Sequence, residues 1–116
     1  MRDPRERIRD MIEAIDRIER YAVRGRDAFD LDELIQSWFI RHLQILGEAA
    51  RALPDEIREK APDVEWKKIT GMRHVLVHDY FGIDRDIVWT TVDKELGPVK
   101  ASLTSLLERL SLEQPS

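Results

Sequence analysis

Within the ten residues Gly71-Met-Arg-His-Val-Leu-Val-His-Asp-Tyr80 stand two of the chain's three histidines, an arginine, an aspartate and a tyrosine. Each has an ordinary structural use. A helical histidine is commonly a surface group or a satisfied core residue, Tyr80 suits a core rim with its hydroxyl in water, and Arg73 can pair with a nearby carboxylate. A metal site is a second use. His74 and His78 are four residues apart and so neighbours on one helix face, a workable zinc geometry. Against it, Val75 occupies the position where a zinc-protease helix carries its glutamate. Asp79 also lies about 100° round the helix from His78, a poor place for a third ligand. The third use is acid–base cleavage of a phosphodiester. His78 exchanges protons near neutral pH, and Arg73 is a fixed cation for the charge that builds on phosphorus. In RNA the 2′-hydroxyl attacks its own phosphate, so neither a metal nor a protein nucleophile is needed. Arg73 and His78 are then the candidate catalytic pair, with His74 and Asp79 as candidate supporting groups.

Helical geometry qualifies this set. At about 100° per residue, Arg73 and Tyr80 fall within roughly 20° of each other, whereas Arg73 and His78 fall about 140° apart. A straight helix does not converge the pair. Either the helix distorts, or one phosphate is held between residues of two subunits, which predicts a dimer.

The elements that must position these residues read as helices. Asp3-Pro4-Arg5-Glu6 has a cap, a proline suited to the first helical position and an acid at capping-box spacing. Ile8, Met11, Ile12, Ile15, Ile18 and Ala22 then form one apolar stripe, which Gly25 ends. Asp30 with Glu33 repeats the capping signal for a second long helix carrying Leu34, Trp38, Leu46, Ala49, Ala50 and Leu53. A short segment opens at Pro54 and stops at Ala61-Pro62. Asp63 is placed to cap a third major helix, from about residue 65 to about residue 81, with Gly82 as its stop. Asp84 is placed to cap a last apolar face of Ile87, Val88, Val92, Leu96, Val99, Leu103, Leu106 and Leu110. Gly97-Pro98 should kink or split that segment. No alternating strand pattern occurs. The expectation is an all-α, up-and-down bundle of four to five helices, a single domain over residues 1–112 with a frayed tail at 113–116.

Composition narrows the functional classes. The 116 residues, 42% of them hydrophobic, support one core. Charged residues of both signs, 36% of the chain, interleave with regular apolar positions, as on solvated helix faces. A net charge of −4 argues against a protein that coats nucleic acid through its overall field, but leaves room for a local basic cleft. Cysteine is absent, so no disulfide or thiolate metal site can form. The first residues contain no apolar leader and no later run approaches a membrane span, which suggests the cytoplasm. Trp38, Phe39 and Trp66 read as core or dimer interface, Lys67 and Lys68 as solvated lysines able to attract RNA, and Gly47 with Glu48 as helix-packing positions.

The arrangement Arg73-x4-His78-x-Tyr80 resembles the RX4HXY motif of HepT-like toxins in the HEPN superfamily of helical nucleases. The likeness covers most of the chain: Ile45-Leu-Gly-Glu-Ala-Ala50 resembles the family's second-helix signature, Trp66 to Arg73 the lead-in, and Phe81 to Trp89 the segment after the motif. The resemblance implies a HEPN-like bundle that dimerises, with Arg73 and His78 in a shared cleft cutting RNA without a metal or other cofactor. It also implies a partner, a minimal nucleotidyltransferase antitoxin of the MntA type that AMPylates the motif tyrosine, here Tyr80. Adenylate there would place a bulky anion beside Arg73. One position departs from the pattern, since His74 stands where relatives often carry Asn. The competing expectation is a helical module that binds nucleotide or a nucleotidyltransferase without cutting.

Overall fold

The computed structural model describes residues 3–77 and 84–113, the side chains of 73–77 apart. Over that span the chain is helical without a strand: α1 (Pro4–Ala22), α2 (Gly25–Leu31), α3 (Glu33–Ala52), α4 (Asp55–Arg58), α5 (Trp66–Val77), α6 (Arg85–Thr90) and α7 (Leu96–Glu113), with a π-helical turn (Thr91–Glu95) joining the last two. Four long runs therefore build the bundle: α1, α3, α5 and the continuous α6–π–α7. This is the all-α architecture that the apolar spacing predicts.

The core follows from that spacing. Ile8, Met11, Ile15 and Ile18 of α1 are buried, and so are Phe39, Leu43 and Leu46 of α3 and Leu96, Leu103 and Leu106 of α7. The spacings are three, four or seven residues, all of which return to one helix face, so each helix offers a single apolar stripe. α1 packs on α3 and α7, α3 also carries α5, and α2 touches α1, α3 and α6. Burying side chains of this size contributes on the order of 1.5–3 kcal/mol each.

Start signals read from the sequence hold at both ends of the bundle. Asp3 caps α1 by accepting the Arg5 N–H at 2.9 Å, with Pro4 in the first helical position. Asp84 caps α6 by accepting the Ile87 N–H at 3.1 Å. Gly25 follows α1 at a φ of 89°, a left-handed conformation that glycine adopts without a Cβ clash.

Three boundaries differ from expectation. The cap of α3 is Asp32, which accepts the Leu34 N–H at 2.9 Å, rather than Asp30. Asp30 belongs to the short α2 and pairs there with Arg26 at 3.2 Å. Asp63 likewise accepts a hydrogen bond from the Ser102 hydroxyl of α7, and α5 starts three residues later. The last helical run does divide, but its irregularity lies just upstream of Gly97-Pro98, over residues 91–95. Leu96 donates to Thr91 O, five residues back, and the Thr91 hydroxyl donates to Ile87 O at 2.9 Å. Pro98 supplies no N–H and its ring crowds the carbonyl four residues earlier, so a widened turn over 91–95 relieves the conflict while the helix continues. At the C-terminus α7 includes Glu113, which pairs with Lys60 at 2.6 Å, and residues 114–116 lie outside the described part. No described helix is long and apolar enough to cross a membrane.

Candidate active site

The motif is carried by α5 and by the residues between α5 and α6. Positions 73 and 74 fall in the last turns of α5. His78, Asp79 and Tyr80 lie outside the described residues, as does Gly82, the expected stop. The structure therefore shows what holds the two flanks of the motif.

Upstream, α5 is anchored through one face. Ile69 is buried, Trp66 and Met72 pack half-buried against the core, and the Trp66 indole N–H donates to Ala61 O at 3.0 Å. Lys67, Lys68 and Gly71 lie on the exposed side. Position 73 follows Ile69 by four residues, so its register is that of the anchored face. Among the described residues, a Cβ built on Gly71 meets nothing within 4 Å.

Downstream, the chain re-enters the described structure at Asp84 and is pinned at once. Besides the Asp84 cap, Asp86 forms an ion pair with Arg26 of α2, and the Arg85 guanidinium donates to Asp30 O at 3.2 Å. The Phe29 and Trp89 rings meet at 5.7 Å behind these polar contacts. Arg26 holds the Asp86 carboxyl below the usual carboxylate range, chiefly by its hydrogen bond, and Asp86 in turn raises Arg26. α2, which the sequence reading missed, is thus the clamp for the downstream flank. Its single buried residue, Phe29, gave no periodicity from which to find it.

Side chains with open sequence readings now have places. Phe39 is core and stacks on Phe29 at 5.1 Å, while the half-buried Trp38 donates to Arg17 O at 2.8 Å, so both serve packing. Lys68 pairs with Glu95 of the π turn, which raises the lysine above its ordinary range. Lys67 and Glu48 are exposed and Gly47 is buried. Between α5 and the α6–π–α7 run lies a groove of about 420 Å³ whose lining reaches Met72. The third histidine, His42, drew no notice in the sequence. It is buried in α3 against the edge of Trp38, with ring centroids 4.4 Å apart.

Known proteins place this arrangement. A family model described as ribonuclease HepT-like matches residues 11–106. A protein of Caldanaerobacter subterraneus subsp. tengcongensis, named as a candidate RNase, is 39% identical over 92 residues, covering 79% of this chain and 82% of its own. The probable ribonuclease HepT of Thermococcus cleftensis is 31% identical over 106 residues, covering 90% and 96%. A Methanocaldococcus jannaschii protein named as both a gamma-glutamylcyclotransferase and a candidate RNase is 35% identical over 101 residues, which cover 86% of this chain but 46% of that protein. No solved structure matches at a significant level. With the family model spanning most of the bundle and the Thermococcus relative matching over nearly its whole chain, the protein belongs to the HepT-like ribonuclease family.

Proposed function

We propose that this HepT-like ribonuclease is the cytoplasmic toxin of a toxin–antitoxin pair, a metal-independent endoribonuclease using Arg73 and His78 at a homodimer cleft. The observation that carries the reading is the Arg73-x4-His78-x-Tyr80 spacing in a chain of this family, on a segment whose two flanks are both pinned. The chemistry needs few groups. His78 takes the proton of the 2′-hydroxyl, the freed oxygen attacks the adjacent phosphorus, and Arg73 offsets the charge on the phosphoryl oxygens. The bond to the 5′-oxygen breaks, an imidazole (His78 or His74) returns a proton to it, and a 2′,3′-cyclic phosphate remains.

Control is assigned to Tyr80. A minimal nucleotidyltransferase of the MntA type transfers AMP from ATP to the Tyr80 hydroxyl and releases pyrophosphate. The added phosphate then competes with RNA for Arg73. Support for a dimer comes from the surface. Val23, Leu31, Leu34 and Ile87 are 84%, 87%, 80% and 51% exposed. All four lie where α1 and α2 end and α3 and α6 begin, the end at which the chain emerges from the motif. Large apolar groups gathered at one end mark an interaction surface.

One paired expression experiment tests the reading. The chain produced alone should cleave RNA in excess chelator, leaving cyclic phosphate ends, and Arg73→Ala or His78→Ala should lose at least about 100-fold in rate. Produced with an MntA-type nucleotidyltransferase, it should gain the mass of AMP at Tyr80 and stop cleaving. Full activity in either alanine variant overturns the catalytic assignment. Activity lost in chelator returns the metal reading, and neutralisation with Tyr80 unmodified assigns the antitoxin a blocking contact instead. RNA or nucleotide bound but never cut would make the chain a binding module.

A further inference from the structure

We infer that the groove between α5 and the π turn is a subsite for one base of the RNA, next to the phosphate held by Arg73. The inference rests on the ribonuclease reading and adds to it the part of the substrate that this groove takes.

The groove is an unpacked seam. Its floor and walls are aliphatic: Ile69 and Met72 from α5, and Leu96, Pro98 and Val99 from the start of α7. Two polar contacts span it from wall to wall, Lys68 with Glu95 at one place and Asp63 with Ser102 at another. Its volume of about 420 Å³ falls in the range of small-ligand pockets, which join apolar walls to a few polar edge groups.

Charge and shape then select the occupant. The rim carries Lys68 and Lys94 beside Asp63, Glu65 and Glu95, a mixture that would repel as much of a phosphate as it attracts. It suits a neutral group with donors and acceptors on its edge and apolar faces, which is the description of a nucleobase. The Met72 thioether is a favourable neighbour for an aromatic face. Position also agrees, because Met72 immediately precedes Arg73 on the same helix. A base in the seam would therefore lie beside the helix end that supplies the phosphate-binding cation. The π turn contributes Thr91, Lys94 and Glu95 to this lining. Widened turns of this kind recur at functional sites.

The test uses 2′-O-methyl dinucleotides, which cannot be cleaved, one for each base at the first and at the second position. Binding to the full chain is followed by amide chemical shifts. The expected result is shifts centred on Ile69, Val99 and Ser102, with one base bound best. Val99→Trp fills the seam and should weaken that binding roughly tenfold or more. A second variant, Lys68→Gln with Glu95→Gln, leaves the volume intact and should change the ranking of the bases, and thermal unfolding checks that both variants remain folded. Shifts that bypass the groove, or wild-type binding and ranking in both folded variants, overturn the subsite. Groove shifts that appear on raising protein concentration without ligand also overturn it, by assigning the seam to a second copy of the chain. The two readings fail separately. Loss of cleavage in Arg73→Ala with a silent groove sinks the subsite alone, whereas base binding in the groove with His78→Ala fully active sinks the catalytic assignment.

Discussion

His42 shows how a residue can be chemically conspicuous without belonging to the motif. It is 4% exposed, and among the described residues neither ring nitrogen has a hydrogen-bond partner. Burial lowers its pKa from the ordinary 6.5, and Arg17 and Arg41 lower it further, while Glu13 acts weakly in the opposite direction. A base with a lowered folded pKa takes up its proton more readily in the unfolded chain, so stability rises with pH in this window. The stabilising effect is fully present above about pH 6.5 and is lost as the pH falls toward the depressed folded value. His42→Leu removes the titration and two unsatisfied polar atoms from the core. Thermal melts between pH 7.5 and pH 5 should show the wild-type midpoint falling more steeply than that of the variant. Parallel curves would mean that His42 keeps its charge state through the transition. The sequence did not reveal this residue, because a histidine on an apolar stripe looks the same whether it is solvated at a rim or sealed beneath a tryptophan. Arg73, His78 and Tyr80 stand out in the sequence by their spacing alone, while His78 and Tyr80 lie outside the described residues, so their placement against Arg73 rests on the proposal and its test.

At the scale of elements, local chemistry was legible wherever one residue decides the outcome. Asp3-Pro4 and Asp84 are caps because the next amides need an acceptor. It failed where two residues compete or distant parts set the result. Asp30 and Asp32 both suit a cap, and the choice fell to Asp32 once α2 drew Asp30 into its pair with Arg26. The π turn arises from Pro98 acting on residues upstream, so its position follows from the whole run rather than from Gly97-Pro98 alone. Positioning of the motif should depend most on the start of α6. Asp84→Ala removes the acceptor of the Ile87 N–H and should lower stability by about 1 kcal/mol, within a range of roughly 0.5–2. Assayed well below its melting temperature, the variant should lose more cleavage than this change in folded fraction explains, whereas Asp84→Ser should keep most of both. Unchanged turnover in Asp84→Ala would show that the α2 contacts through Arg26 and Asp86 fix the downstream flank without the cap.

The whole molecule raises the question that the helix angles posed first, whether one chain contains a complete site. Positions 73 and 78 diverge by about 140° on a regular helix, and among the described residues four of the five exposed large apolar groups (Val23, Leu31, Leu34 and Ile87, with Leu112 apart near the end of α7) lie where the motif segment rejoins the bundle. Both features suit a two-fold dimer in which Arg73 of one subunit faces His78 of the other. Such a site makes a prediction that a single-chain site cannot share. On this reading Arg73→Ala and His78→Ala should each be inactive as homodimers. When equal amounts are unfolded together and refolded, half of the dimers should be mixed, and each mixed dimer should have one intact site, formed by Arg73 from the His78→Ala chain and His78 from the Arg73→Ala chain. Activity should therefore return to about a quarter of wild type, since half of the dimers then have one of two sites. If Arg73 and His78 of the same chain acted together, every site in the mixture would lack one group and nothing would return. Leu34→Glu in both chains should abolish the recovery by preventing the apolar ends from meeting, with each subunit still folded by thermal unfolding. Recovery that survives Leu34→Glu would move the dimer contact to another face while leaving the shared site intact.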